Sequence, residues 1–206
     1  MLTLTYALVA LSVEQKRVKT RLLELQQEVQ IERQQRLRAN QAHFELLVSQ
    51  FIALDEACRL RSIELYVLPA IRAASSDADS MLADIDALTL MGRITLKTVR
   101  CRLRQAVNHG SFEMDYLCDS LQQYCQDMFK RLDLEETQIL PLAQRVISSD
   151  EWFDIAARFI SHDTERHGGK SFDSDEMVLG EEGAAFAVPH VAKVKRASGL
   201  PSHVKH

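Results

Sequence analysis

A chain of 206 residues with a formal net charge of −4 holds enough material for one good-sized core, and two full domains would be a squeeze. Its 46% hydrophobic and 6% aromatic content fits a helical protein in water, and the slightly acidic balance gives no electrostatic case for binding nucleic acid. Strand signals are nearly absent, because no run alternates apolar and polar residues between turn clusters, so the expected fold is all-α.

The first helix is expected from about Leu4 into the late thirties. Its opening, MLTLTYALVALS, is apolar but meets Glu14, Lys16 and Arg17, far short of the ~20 residues that span a bilayer. It has neither a basic n-region nor a small-residue cleavage site, so neither a membrane span nor a signal peptide is expected. The seam Leu4, Leu8, Leu11, Gln15, Val18, Leu22, Leu25, Val29 alternates steps of four and three, the spacing of a bundle seam. Gln15 is its one polar member. Beyond it, Glu28 to Arg38 (EVQIERQQRLR) has few apolar residues and is expected to project or be solvated.

The second helix is expected over about Asn40 to Ala73, with seam Phe44, Leu47, Phe51, Leu54, Cys58, Arg61, Leu65, Leu68 and Pro69 near its end. Arg61 is the exception there. Ser75 to Asp79 supplies cap residues for a third helix, whose seam is Ile85, Leu88, Gly92, Leu96, Val99, Leu103, Ala106. A mid-helix glycine costs ~1 kcal/mol against alanine and so calls for a packing reason.

Asn108-His109-Gly110-Ser111 closes the third helix and caps the fourth. The fourth seam is Met114, Leu117, Leu121, Tyr124, Met128, Arg131, Glu135, Ile139, Leu142, with two charged members in succession and Pro141 near the end. Ser149 or Asp150 is expected to cap a short fifth helix, about Glu151 to Ile160, whose Trp152, Ile155 and Phe159 fold back on the bundle. From 161 to 206 the periodicity fails, giving a Gly-Gly, an acidic patch and a basic end that read as a loosely held tail. The expected division is a helical bundle over 1–160 and a tail over 161–206. Cys58, Cys101, Cys118 and Cys125 form no C-x-x-C pair; each reads as a small core residue in a reduced, cytoplasmic setting.

Each seam thus has its exception, and the fourth has two, at positions where a bundle can bring them to a similar level, the place where bundle folds build cofactor sites. Arg131 to Trp152, RLDLEETQILPLAQRVISSDEW, is the most informative stretch. It resembles the last helix of hemerythrin-like (HHE) domains, H-M-x-x-E-E-x-x-L-F-P-L-A followed by a capped turn and an acidic-Trp pair, with Arg131 where that pattern has its histidine. Val13-Glu14-Gln15-Lys16 before Leu22-Leu23 looks like the family's first E-H pair with glutamine for histidine. Cys58 to Glu64, leading to Val67-Leu68-Pro69, looks like its H-H-x-x-E-(E/D) run, and neither register yields a histidine. Met91-Gly92 stands where the third helix has E-H.

The resemblance covers about Leu4 to Phe159 and implies an antiparallel four-helix up-down bundle of the hemerythrin-like kind, with the short fifth helix and C-terminal tail appended. The layer that implies a former metal site is Gln15, Arg61, Glu64, Gly92, Arg131 and Glu135, in which only the two carboxylates remain of the ligands. Iron in such a site is held largely by neutral imidazoles, whereas a guanidinium stays charged and adds repulsion. No metal and no cofactor is therefore expected, with iron as the alternative. The expected arrangement is a polar core cluster in which Arg131 pairs with Glu135 and Arg61 with Glu64, one helical turn apart, with Gln15 hydrogen-bonded alongside and Gly92 giving these side chains room. The sharper alternative is a small anion between Arg61 and Arg131.

Enzyme motifs are absent: there is no G-x-S-x-G, glycine-rich phosphate loop or H-E-x-x-H. The expected function is a non-catalytic, metal-free interaction or regulatory module, with an unidentified protein partner or self-association as a homodimer. The alternative is an iron- or oxygen-binding protein with an altered ligand set.

Overall fold

Four-three spacing of apolar residues builds long helices, and the computed structural model, which describes residues 2–34, 41–109 and 113–167, is helical throughout, with no strand among those residues. The α-helices are α1 (Leu2–Gln34), α2 (Gln41–Arg59), α3 (Leu68–Ala74), α4 (Asp79–His109), α5 (Met114–Leu134), α6 (Leu140–Val146) and α7 (Ser149–His167). Helix α1 packs on α2, α5 and α7, and α4 lies along α5. None of the described helices is long and apolar enough to cross a membrane.

Two apolar clusters make the core. The larger joins Leu22, Leu25 and Val29 of α1 to Phe44, Leu47 and Phe51 of α2, Val99 and Leu103 of α4, and Leu117 and Leu121 of α5. The second joins Ala7 and Leu11 of α1 to Val67, Ile71, Ile85 and Ile139, and to Trp152, Ile155 and Phe159 of α7. Burying each such large side chain contributes about 1.5–3 kcal/mol, so the apolar seams account for most of what holds the helices together. Cys58, Cys118 and Cys125 are core residues as expected, but Cys101 is exposed.

The expected second helix is not continuous. Helix α2 stops at Arg59, Leu60 and Arg61 turn, and a π-helical turn, Ile63–Val67, leads into α3, with the Leu68 N–H donating to the Ile63 carbonyl. The same device recurs between α5 and α6, where Glu135–Ile139 is π-helical and the Leu140 N–H donates to the Glu135 carbonyl. Each π turn directly precedes a Leu-Pro pair, Leu68-Pro69 and Leu140-Pro141. Proline has no N–H, and its ring presses on the carbonyl four residues back; widening the preceding turn to i→i−5 spacing lets the chain pass through. Neither proline therefore ends its helix. The turn and the extra residue also change the register after Arg61, so that seam residue Leu65 is 39% exposed while Val67 is fully buried.

Both ends of the expected pattern shift as well. The far part of α1 does not project: Val29 and Glu32 are buried, Gln30 Nε2 donates to Gln122 Oε1 at 2.7 Å, and Arg33 pairs with Asp119. Residues 35–38 of that segment lie outside the described residues. Helix α7 is not short and runs past Ile160 to His167. Ser148, not Ser149 or Asp150, caps it: its Oγ accepts from the Glu151 N–H at 3.3 Å, and the Glu151 carboxylate accepts the Ser148 N–H at 3.0 Å, the reciprocal pair of a capping box. The tail's acidic and basic patches, beyond 167, lie outside the described residues.

Candidate functional site

Where the two apolar clusters meet, the core turns polar. On α1, buried Gln15 lies between Leu11 of one cluster and Val18 of the other; Arg61 and Ser62 lie between Cys58 and Ile63; Glu135 lies between Leu132 and Ile139. The break at Arg61 and the π turn at Glu135 both fall on this layer. π-Helical turns are frequent at functional sites.

The break at Arg61 frees main-chain groups, and side chains take them up. The Ser62 N–H and Oγ both donate to the Glu14 carboxylate, at 3.0 and 2.8 Å, and Arg61 Nε donates weakly to the Cys58 carbonyl at 3.4 Å. Glu14 thereby joins α1 to the start of the second helical run, where a negative charge is favourable. On the other side, Gln15 Nε2 donates to the Leu132 carbonyl at 2.6 Å, at the last turn of α5 before it widens.

Four charged groups form a closed ring. Arg61 Nη2 donates to Glu135 Oε1 at 2.5 Å and approaches Glu64 Oε1 at 3.4 Å. Arg131 Nη2 donates to Glu64, while its Nε stands 3.2 Å from Glu135 Oε1 without hydrogen-bond alignment. The short hydrogen bonds cross between helical runs, whereas the expected pairs, Arg131 with Glu135 and Arg61 with Glu64, are the longer contacts. Crossing prevails because two arginines on facing helices each reach the opposite carboxylate with a planar, directional fork.

Burial shapes the charges differently. It works against the charge on Arg61, but the adjoining Glu135 charge and hydrogen bond outweigh it and raise the pKa. On Arg131 burial prevails over the pull of Glu135, Arg61 adds repulsion, and the pKa falls below the ordinary guanidinium value. A guanidinium starts above about 12, so both remain cations at working pH.

Gly92 serves a different neighbour from the one expected. A Cβ there would stand 3.1 Å from Tyr124 Cε2 and 3.3 Å from Cδ2, so the space belongs to the tyrosine ring and not to the arginines. Tyr124 is held edge-on by Phe51, with ring centroids 5.6 Å apart, and its hydroxyl donates to Asp55 Oδ1 at 3.3 Å. Burial raises the Asp55 pKa, only partly offset by Tyr124, Arg59 and Arg93. Burial also raises the Tyr124 hydroxyl far above its ordinary value, with the Asp55 charge adding to it.

The sequence singled out Glu14 only as the neighbour of Gln15 and not as a member of the layer, and neither the Tyr124–Asp55 pair nor the Glu32–His43 contact at 2.6 Å was expected from it. For Glu32 the signal was present: three residues beyond Val29, it is the next member of the α1 seam, and it is buried. Glu14 and Asp55 each sit beside a seam residue, where periodicity is silent.

The layer does not fit iron. It offers no imidazole; both ring carboxylates are engaged by guanidiniums, and no group of three or more His, Cys, Asp or Glu among the described residues is arranged to hold a metal ion. The guanidiniums of Arg61 and Arg131 both already face carboxylates. The cavity bounded by Glu14, Gln15, Arg61 and Glu135 measures ≈ 10 Å³, room for about one water molecule. No family model, curated protein or solved structure matches the chain.

Proposed function

We propose that this chain is a metal-free, non-catalytic member of the hemerythrin-like bundles that acts as an interaction or regulatory module. In this reading α1, α2 with α3, α4, and α5 with α6 are the four runs of an up-down bundle, and α7 is the added fifth helix. The observation that carries it is the ring of Arg61, Glu135, Arg131 and Glu64, which lies where the two apolar clusters meet and leaves each carboxylate facing a guanidinium at close range. A metal would have to displace both arginines into an apolar surround, at the cost of unpaired buried charge.

Two further observations support an interaction role. Tyr6, Val9 and Val13 on α1, and Leu90, Met91 and Ile94 on α4, are large apolar residues left exposed, and exposed apolar patches mark contact surfaces. Self-association as a homodimer through such a face belongs to the proposal. So does a cytoplasmic location, since the four cysteines are unpaired, the state a reducing compartment maintains.

The test is elemental analysis and a visible spectrum of chain expressed with iron present. Metal well below one equivalent and no charge-transfer band are expected. A di-iron stoichiometry with such a band would replace this reading by the iron- or oxygen-binding one.

A further inference from the structure

The groove between α2 and α4 plays no part in the polar layer. It measures about 640 Å³ and carries five cationic side chains against two carboxylates. Arg93, Lys97, Arg100 and Arg104 recur at steps of four, three and four along α4. They form one row, ~16 Å long at 1.5 Å rise per residue. Arg59 joins them from the end of α2.

All five are exposed, and none forms an ion pair with the described residues. Their neighbour Arg102 behaves differently, pairing with Glu113 at 3.0 Å and stacking over Tyr116. Like charges one turn apart on a helix are mutually destabilising; Arg59 and Arg93 act on the Asp55 carboxylate, and Lys97, Arg100 and Arg104 are the part of the row left to attract an anion. Ile52, half-buried, gives the groove apolar surface, with the edge of the buried Leu96 at its floor, and Asp55 and Glu56 stand on its α2 side.

From this juxtaposition we propose that the groove docks an acidic amphipathic helix of a partner protein, its carboxylates spaced four-three against the α4 row and its apolar side on Ile52 and Leu96. The proposal rests on the reading of the chain as an interaction module and specifies the partner's chemistry. Helix-in-groove docking with such anchors is a recurring mode. A nucleic acid fits less well: no aromatic ring lines the groove for base stacking, and Asp55 and Glu56 repel a polyphosphate, whereas a helix can meet them with a lysine or arginine. An anionic bilayer is too flat to reach the apolar surface inside a concave groove.

The test uses the full chain and a synthetic amphipathic helix of about 18 residues, the row plus a turn at each end, with glutamates at four-three spacing. An isomer of identical composition with its glutamates scattered, a single-stranded oligonucleotide and anionic vesicles are the comparison probes. Fluorescence anisotropy should show the patterned helix bound at least ~10-fold tighter than its isomer. Binding should vanish in the R93E/R100E/R104E variant, whose substituted positions are all exposed and whose fold is checked by its circular dichroism melt. Cys101 lines the same groove, so bound patterned helix should slow its labelling by maleimide. Equal binding of the isomer, tighter binding of oligonucleotide or vesicles, binding that leaves Cys101 unprotected, or no binding would each overturn the proposal. A chain that holds iron yet binds the patterned helix would overturn the metal-free reading alone; a metal-free chain that fails to bind would overturn the groove alone.

Discussion

Replacing Glu135 by glutamine removes one charge from the ring and leaves Arg61 and Arg131 to share Glu64. Glu135 is 1% exposed and meets the two arginines at 2.5 and 3.2 Å, while Glu64, at 19% exposed, stands closer to solvent. Removing one partner of a buried ion pair typically costs about 3–5 kcal/mol, because the charge left behind is uncompensated. For a domain whose whole stability is about 5–15 kcal/mol, that is a loss easily read from urea denaturation at constant m-value. The double variant R61M/E135M should behave differently. It removes a neutral pair, keeps Arg131 with Glu64, and should lie within about 1–2 kcal/mol of the parent, since apolar replacement of a complete buried pair is often near neutral. The cycle of R61M, E135M and R61M/E135M should therefore give a coupling of at least about 2 kcal/mol between the two positions. A loss below about 1 kcal/mol for Glu135→Gln, or strict additivity in the double variant, would refute the ring as the organising contact of the layer.

Gly92→Ala should destabilise the chain by up to about 2 kcal/mol, the overpacking exceeding the ~1 kcal/mol that alanine gains in a helix, because its Cβ meets a Tyr124 ring fixed by Phe51 and Asp55; a raised melting temperature would contradict this. For Asp55, a folded-state pKa above the unfolded one means that the native state binds the proton more tightly, so its contribution is present below the unfolded pKa and is lost as pH rises through the folded value. Asp55→Asn should therefore gain stability relative to the parent between about pH 3.5 and 7, read from urea midpoints at both ends; a pH-independent difference would contradict it. Among thiols, Cys101 alone should react with iodoacetamide in the native chain, since burial pushes Cys125 up to about 12 and also raises Cys58 and Cys118; equal native reactivity at Cys125 would contradict the packing, and unfolding should expose all four.

The helices and the polar members of the seams were legible because both follow from one periodicity. Gln15, Arg61, Arg131 and Glu135 stood out as polar residues where the spacing demanded apolar ones, and all four are buried. The irregular turns were not legible from spacing alone, since a π turn shifts the phase by one residue and moves Leu65 outward while Val67 comes in. Pro69 and Pro141 carried that signal, but proline in a helical pattern reads first as an end. Which carboxylate each arginine takes depends on how facing helices are placed, information that a one-dimensional pattern does not hold. The α4 row was also missed: a cationic stripe on a chain of net negative charge disappears in the total.

The sandwiching of charge between two oily halves has a consequence for how the helices slide. Displacing one helix along its neighbours by a single turn, about 5.4 Å, would carry a guanidinium or carboxylate to the level of Val18, Cys58 and Met128 on one side or Leu11, Leu68 and Ile139 on the other. Purely aliphatic seams would tolerate that slip at modest penalty, whereas here the mismatch strands an ion without its counter-charge. The layer thus acts as an alignment key along the long axis, the role a single buried asparagine plays in coiled coils.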